Sequence, residues 1–249
     1  MSQSDSVILR MHNLTRRFGG FCAIDDITME IEMGELRAIV GPNGAGKTTL
    51  FNLITANLKP DRGKIFFKKH EITNLPPEKI CRLGISRKFQ SPSVFGNLTV
   101  LQNILVAGYG KFKIAHMLFG KIEKSDIDQA VEILNTIKLE QKKDELAGSL
   151  SHGERQWLEI GMILRTEPEI LLLDEPTAGM TPSETIETAH LIRNISSELT
   201  TIVIEHDLKF LREIGEKVTV LHNGKILAEG TFEEIERDKQ VKKVYIGRE

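Results

Sequence analysis

The sequence predicts an α/β fold, built on a mainly parallel sheet and interrupted by a helical insertion. Apolar strand-like runs alternate with helical segments towards both ends of the chain, and such alternation is typical of a parallel sheet with helices on its faces. From about residue 90 to residue 165 strand signals are absent and the pattern is helical. A chain of 249 residues, 40% of them hydrophobic, is long enough for one large domain.

The first part of the chain is predicted to be rich in β-structure. Residues 7–12 and the alternating residues 27–31 have strand character, and the apolar run at residues 35–40 ends at a glycine-rich turn. A helix is expected from residue 46 to about residue 57. A turn signal then precedes a short strand at residues 64–67.

The rest of the chain returns to α/β alternation after the helical segment. Helices are expected at residues 101–106, 127–139 and 153–164, then at 182–199 and 208–214. Strands are expected at residues 170–173, 201–204 and 218–221, and Asn223-Gly224 predicts a hairpin to residues 225–228. Two short helices should close the chain. We expect a single domain over residues 1–249, with 1–89 and 166–249 as its α/β core and 90–165 as a helical subdomain.

Charge and composition argue against several classes of protein. Lys and Arg (33) nearly balance Asp and Glu (35), and the net charge of -2 is spread along the chain, which argues against a nucleic-acid partner. No run approaches the roughly 18 apolar residues that cross a bilayer, and no secretory signal is visible. Cys22 and Cys81 stand alone, as is typical of free thiols in a reducing cytosol. Any membrane association is therefore expected to come through a partner.

A phosphate-binding loop is predicted between the third strand and the first helix. Gly41-Pro-Asn-Gly-Ala-Gly46-Lys47-Thr48 matches G-x-x-x-x-G-K-[ST] in the strand-to-helix context that the mechanism demands. Backbone N–H groups curl around phosphate, Lys47 reaches the β- and γ-phosphates, and Thr48 offers its hydroxyl to Mg²⁺. A glycine-rich turn with no ligand is the weaker alternative. The predicted nucleotide-binding residues here are Gly41, Pro42, Asn43, Gly44, Ala45, Gly46, Lys47, Thr48 and Thr49.

Two carboxylates follow an apolar run at residues 170–173. Asp174 and Glu175 are expected at the C-terminal end of a buried strand, the edge where ligands bind in open α/β sheets. Asp174 is placed to hold Mg²⁺ through water, and Glu175 to orient or deprotonate an attacking water. Alone, the pair is equally compatible with a polar strand end at a turn. Together with the phosphate loop it indicates ATP hydrolysis.

The segment Leu150-Ser151-His152-Gly153-Glu154 precedes a helical stretch and has two interpretations. Ser151 and Glu154 have the spacing of a capping box. The same geometry presents N–H groups and a hydroxyl that can bind the γ-phosphate of a nucleotide. The residues alone leave both interpretations open.

The order of the phosphate loop, Gln90, LSHGE, LLLDEP and His206 resembles the ABC (ATP-binding cassette) ATPases along the whole chain. The resemblance implies a P-loop NTPase cassette with an N-terminal antiparallel β subdomain, using ATP and Mg²⁺. It implies that two subunits pair head to tail, so that Ser151 and Gly153 of one chain complete the ATP site held by Lys47 of the other.

The resemblance also assigns roles to three further residues. Gln90 should lie where the core meets the helical subdomain, contacting the nucleotide, the metal and the membrane partner. His206 matches the switch histidine that contacts the γ-phosphate and joins Lys47 and Glu175 as a catalytic residue, although a lone histidine after a strand is more often structural. Phe18 falls where the family stacks an aromatic ring on adenine, but a phenylalanine near a first strand is equally compatible with the core.

Two segments depart from the usual family pattern. The usual signature reads LSGGQ, and here His152 replaces a glycine and Glu154 the glutamine. A carboxylate near phosphate is unfavourable unless it turns back into the capping box. Thr181 stands where many members have Asp; with Pro182 and Glu184 it still caps the next helix but supplies no charge across a dimer.

Within the family, three segments resemble the branched-chain and polar amino-acid uptake group: RKFQSPSV at residues 87–94, GMTPSE and the ending VYIG. LSHGERQWLEIGMIL is especially similar to the urea-uptake ATP-binding subunit. The resemblance implies a second ATPase subunit, identical or paralogous, two membrane permeases and an extracytoplasmic solute-binding protein. The chain would then lie at the cytoplasmic face of the inner or plasma membrane, held peripherally by the permease.

Two alternative functions follow from the same resemblance. A non-transport ABC ATPase in DNA repair or on the ribosome usually carries long coiled coils or tandem cassettes, and this sequence shows one cassette and no heptad run. An ATP-binding regulatory subunit with little hydrolysis of its own is the other, and the altered signature keeps it open.

Overall fold

Two β-sheets organise the residues that the computed structural model describes, which are 6–88, 94–108, 123–215 and 217–246. The strands are β1 (Val7–Phe18), β2 (Phe21–Glu32), β3 (Leu36–Val40), β4 (Arg62–Phe67), β5 (His70–Glu71), β6 (Ile85–Lys88), β7 (Ile170–Asp174), β8 (Thr200–Ile204), β9 (Lys217–His222) and β10 (Lys225–Gly230). The α-helices are α1 (Lys47–Ile54), α2 (Pro77–Arg82), α3 (Val100–Gly108), α4 (Lys124–Thr136), α5 (His152–Leu164), α6 (Pro182–Ser196), α7 (Leu208–Ile214), α8 (Phe232–Arg237) and α9 (Lys239–Ile246).

The smaller sheet is antiparallel and has the order β2-β1-β4-β5. Its first two strands are longer than the predicted 7–12 and 27–31, because register shifts along their pairing break the strict alternation that marks a strand in sequence. This is the N-terminal antiparallel sheet that the fold class requires.

The larger sheet has the order β10-β9-β3-β8-β7-β6 and is parallel except for the β9–β10 pair at one edge. The hairpin predicted at Asn223-Gly224 is confirmed, and both residues have positive φ, 49° and 77°, as a tight hairpin turn needs. The sequence prediction missed β6 and α2. In β6 three of four residues are polar, and their burial depends on partners that sequence periodicity does not show.

Alternate side chains of the central strands enter two different cores. Ile39, Leu172 and Ile202 are fully buried towards α1 and the antiparallel sheet, whereas Ala38 and Val203 belong to the core formed with the helices on the opposite face. A sheet covered on both faces has apolar strands throughout. The rigid support for the loops at the strand ends comes from this double burial.

The segment between β6 and β7 is helical wherever the structure describes it. Ile104, Leu134 and Leu158, from α3, α4 and α5, are fully buried in one core. The indole Nε1 of Trp157 donates a buried 2.8 Å hydrogen bond to Thr188 Oγ1 and so ties α5 to α6. The predicted α/β class with a helical insertion is confirmed, while the subdomain boundaries at residues 90 and 165 stay a prediction. None of the described helices is long and apolar enough to cross a membrane.

Candidate active site

The loop between β3 and α1 is held tightly by its neighbours. Gly41 and Gly46 have φ of 154° and 107°. A β-carbon at Gly41 would lie 2.2 Å from Leu221 O, and one at Gly46 would lie 2.4 Å from Ala23 O. Both neighbours are backbone atoms that cannot turn aside. The loop conformation therefore requires glycine at these two positions, as a backbone phosphate cradle does.

Lys47, the first residue of α1, bends back over this loop. Its side chain is largely buried, and Nζ donates hydrogen bonds to Gly41 O at 2.7 Å and Pro42 O at 3.2 Å. Burial lowers the pKa of Lys47, while the negative charges of Glu175 and Asp174 act in the opposite direction. The ammonium group thus lies in the field of the two carboxylates that the sequence singled out.

Asp174 ends β7 and is 2% exposed. Arg87 of β6 donates from Nη2 to its Oδ2 at 2.7 Å and from Nη1 to Asn52 Oδ1 at 2.6 Å. The other carboxylate oxygen, Oδ1, is buried and has no hydrogen-bond partner within the described residues. One oxygen is thus fixed by Arg87, and the other is left for a ligand.

The residues at this point fit Mg²⁺. An unpartnered buried carboxylate oxygen favours a hard cation, and Thr48 exposes its side chain at the start of α1. No cluster of three His, Cys, Asp or Glu side chains suited to a metal occurs in the described ranges. Mg²⁺ needs fewer protein ligands, because substrate phosphates and water complete its shell. Gln90, the third predicted ligand, lies outside the described residues.

Glu175 follows directly and faces His206. Its φ is 48°, in the left-handed region, and its backbone N–H donates to Ile204 O at 2.9 Å. His206 Nδ1 lies 3.7 Å from Glu175 Oε1, and both side chains reach solvent. The structure therefore brings Lys47, Asp174, Glu175 and His206 to the same edge of the sheet, although their assigned roles stay predictions.

Glu205 is a buried carboxylate that the sequence analysis missed. It is 1% exposed and accepts hydrogen bonds from Thr177 N at 3.0 Å, from the Thr177 hydroxyl at 2.5 Å and from His206 N at 3.0 Å. It joins the loop after Glu175 to the segment that carries His206. A carboxylate at the end of an apolar strand, next to the histidine, was the available signal.

The start of α5 has the predicted capping box. Glu154 N donates to Ser151 Oγ at 3.2 Å, and Ser151 N donates to Glu154 Oε2 at 3.0 Å. Burial alone would raise the pKa of Glu154, but the hydrogen bonds from Lys142 and Ser151, together with the charge of Lys142, outweigh it and the pKa is lowered. The Glu154 carboxylate thus turns back into the cap of α5. This is the arrangement that the sequence analysis expected for a carboxylate in place of the usual glutamine. The contact of Ser151 and Gly153 with a nucleotide on a second chain stays a prediction.

Phe18 lies at the end of β1 and is 44% exposed, so it is not a core residue. Phe21 pairs with it across the hairpin and is 58% exposed. The guanidinium of Arg16 lies 4.9 Å from the centre of the Phe18 ring. The same hairpin carries Ala23, which contacts the phosphate loop at Gly46. Either exposed ring is available for an adenine base, and the choice of Phe18 stays a prediction.

Comparisons with known proteins agree with this arrangement. The ABC transporter family model matches residues 24–178. The high-affinity branched-chain amino acid transport ATP-binding protein LivG of Salmonella typhimurium is 36% identical over 249 residues, covering 96% of this chain and 98% of the relative. BraF of Pseudomonas aeruginosa, described in the same words, is 37% identical over 251 residues, with coverage of 96% and 98%.

Solved structures give the same result. A nucleotide-free ATP-binding cassette from an ABC transporter superposes with a TM-score of 0.84 at 34% identity, covering 97% of this chain and all of the other. The ADP conformation of an ATP-binding cassette of an ABC transporter gives a TM-score of 0.83 at 36% identity, with coverage of 97% and 99%. These matches cover nearly all of this chain, and the family model includes the loop after β3 and the end of β7. The chain therefore belongs to the ATP-binding cassette family of ABC transporters.

Proposed function

We propose that the chain hydrolyses ATP to drive solute uptake, as an ATPase subunit of an importer for a branched-chain or polar amino acid or for urea. The convergence of Lys47, Asp174, Glu175 and His206 at one sheet edge carries the proposal of hydrolysis. The names of the relatives support transport of a branched-chain amino acid. Urea rests on the resemblance of residues 150–164 alone.

The catalytic step follows from the positions of these side chains. The backbone N–H groups of the loop and the start of α1 hold the phosphates, and Lys47 exchanges its loop carbonyls for phosphate oxygens. Thr48, Asp174 and Gln90 are the residues that would hold Mg²⁺, which when bound neutralises charge on the β- and γ-phosphate oxygens. Glu175 orients a water for in-line attack on the γ-phosphorus and accepts its proton, while the bond from that phosphorus to the ADP oxygen breaks. His206, 3.7 Å away, holds the γ-phosphate beside it.

A second ATPase subunit and two permeases complete the proposed assembly. The second chain, identical or paralogous, would place its Ser151 and Gly153 equivalents on the nucleotide held here. A permease would dock in the cleft between the core and the helical segment, a cavity of about 790 Å³ lined by α2, β6 and α5. This cleft lies beside β6, two residues before Gln90. The chain would thus lie peripherally at the cytoplasmic face of the membrane, with a binding protein on the far side.

The first experiment separates hydrolysis from binding. Glu175→Gln keeps the shape of the side chain and should abolish ATP turnover while leaving ATP affinity largely unchanged. Lys47→Ala should instead weaken nucleotide binding, because it removes the buried cation of the loop. Turnover that survives Glu175→Gln would remove Glu175 from its role. A wild-type assembly that binds ATP without hydrolysing it would favour the regulatory alternative.

The second experiment addresses the partner and the solute. The tagged chain should copurify with permease chains from solubilised membranes, and nucleic acid in place of a permease would point to the non-transport alternative. Adding the binding protein loaded with leucine or with urea to the reconstituted assembly should stimulate ATP turnover only with the transported solute. This comparison decides between the two solute classes.

A further inference from the structure

His152, the residue that departs from the usual signature, reaches across from the helical segment to the core. It is the first residue of α5, and its Nε2 lies 3.0 Å from Ala178 O. Gln156 Nε2 lies near the same ring nitrogen at the longer distance of 3.5 Å. A ring nitrogen that faces a carbonyl oxygen at 3.0 Å must carry the proton, since two lone pairs would repel. His152 therefore donates to Ala178.

The loop that receives this hydrogen bond begins at the proposed catalytic carboxylate. Ala178 is the third residue after Glu175. Its neighbour Thr177 is held by Glu205, which also accepts from the backbone of His206. The loop is thus tied on one side to the switch histidine and on the other side to α5. A movement of α5 can therefore affect the groups around the γ-phosphate through two hydrogen bonds, that of His152 to Ala178 and that of Thr177 to Glu205.

The two helix starts that meet at this loop are closely packed. A β-carbon at Gly153 would lie 2.9 Å from Glu184 Oε1, and one at Gly179 would lie 3.3 Å from His152 Nε2. Glu184 closes the capping box of α6 with Thr181. The cap of α5 therefore rests against the cap of α6, and small residues at these two positions allow the approach. Displacement of one helix start is transmitted to the other with little slack.

We propose that His152 is a positioning residue that couples the two ATP sites of the assembled ATPase pair, through its hydrogen bond to Ala178. The proposal rests on the proposed function, in which Ser151 and Gly153 touch the partner's nucleotide while Glu175 and His206 act on the chain's own. His152 lies between these two sets within a single chain. Nucleotide bound at the signature would fix α5, hold Ala178 in place and keep Glu175 aligned for attack. A glycine in this position has no side chain to make the link.

Two variants of equal length isolate the hydrogen bond. In His152→Gln the amide nitrogen falls near the position of Nε2 and can still donate to Ala178. In His152→Met the side chain has similar length and volume but no donor. Both are made in the full-length chain, purified with the ATPase and permease chains that it assembles with. His190→Met, an exposed histidine on α6 that pairs with Glu213 at 3.4 Å, serves as the surface control.

The measurements are steady-state ATP turnover against ATP concentration and ATP affinity by equilibrium binding. We expect His152→Met to lower kcat by about two- to tenfold, the range that one hydrogen bond supplies. The Hill coefficient should fall towards 1 from a value near 2, about the limit for two coupled sites. ATP affinity of the isolated chain should not change, because the loop around Lys47 is untouched. His152→Gln and His190→Met should behave like the wild type.

Several outcomes overturn the coupling role. If His152→Met keeps the wild-type Hill coefficient and kcat, the hydrogen bond carries no coupling. If Gln and Met variants are impaired equally, ring packing and not hydrogen bonding matters. Melting temperatures of all variants identify a loss that comes from unfolding. If the wild-type assembly turns over ATP and these variants do not differ from it, only this proposal fails. If the wild-type assembly shows no ATP turnover, the proposed function fails as well.

Discussion

Replacing Arg87 by methionine tests how strongly the buried pair beside the proposed metal site supports the fold. Methionine keeps a long unbranched side chain but removes the cation. The side chains of Arg87 and Asp174 are 6% and 1% exposed, with 2.7 Å between Nη2 and Oδ2. Removing one partner of such a pair leaves an uncompensated buried charge. We expect Arg87→Met to lower the free energy of unfolding by about 3–5 kcal/mol.

The structure explains why the effect should fall in this range. Asp174 Oδ1 already has no hydrogen-bond partner in the described part of the chain, so the carboxylate depends on Arg87. Arg212→Met provides a matched control. Arg212 pairs with Glu236 at a similar distance, 3.1 Å, but the side chains are 67% and 53% exposed. An exposed pair of this kind contributes less than about 1 kcal/mol.

The assay is urea unfolding at neutral pH, followed by the fluorescence of Trp157, the single tryptophan of the chain. Trp157 is buried between α5 and α6 and reports on the core. A second change, Asp174→Asn, removes the orphaned charge and should restore most of the stability lost in Arg87→Met. The reasoning is refuted if Arg87→Met costs no more than Arg212→Met, or if adding Asp174→Asn brings no recovery.

Three further predictions concern the loop, the buried carboxylate and a helix cap. Gly46→Ala should abolish nucleotide binding, because its β-carbon would lie 2.4 Å from a backbone oxygen. Gly44→Ala meets open space and only the strain of its φ of 81°, so it should bind more weakly than the wild type but measurably in the same titration. Glu205→Gln should lower turnover about tenfold with nearly unchanged ATP affinity, because its amide would face the backbone N–H of His206. Equal losses of turnover and of ATP affinity would contradict this. The pKa of Glu184 is lowered, chiefly by the backbone hydrogen bond in its cap. The charged form of Glu184 therefore stabilises the fold at pH values above 4.5, the ordinary pKa of the group, and this contribution is lost as the pH falls through the lower pKa of the folded state. The stability gap between wild type and Glu184→Gln should therefore close on acidification, and a gap that is constant with pH would show that charge plays no part.

The parts of the fold that sequence predicted well are those with strong local signals. The glycine-rich turn between β3 and α1, the hairpin at Asn223-Gly224 and the caps at Ser151 and Thr181 are each determined by a few neighbouring residues. Turn and cap chemistry depends on backbone groups only two to four residues away. Such signals can be recognised without knowledge of the tertiary structure.

The features that were missed depend on contacts between distant segments. Arg87 and Asp174 are 87 residues apart, and Glu205 meets Thr177 across 28 residues. In sequence, Glu205 is a charged residue at the end of an apolar run and Arg87 lies in a polar stretch, and both positions ordinarily predict a side chain that faces solvent. Only the sheet order, which places β6 beside β7 and β7 beside β8, makes them buried partners. The strand β6 escaped prediction for the same reason.

The left-handed backbone of Glu175 places strain at the carboxylate that we propose to be catalytic. A non-glycine residue in that region costs about 1–3 kcal/mol, and a glycine at position 175 would relieve the strain. Directed evolution that selects for heat resistance alone would therefore favour glycine at this position and would yield more stable chains that lack the proposed catalytic carboxylate. A thermostable working transporter has to gain its stability at sites away from the end of β7.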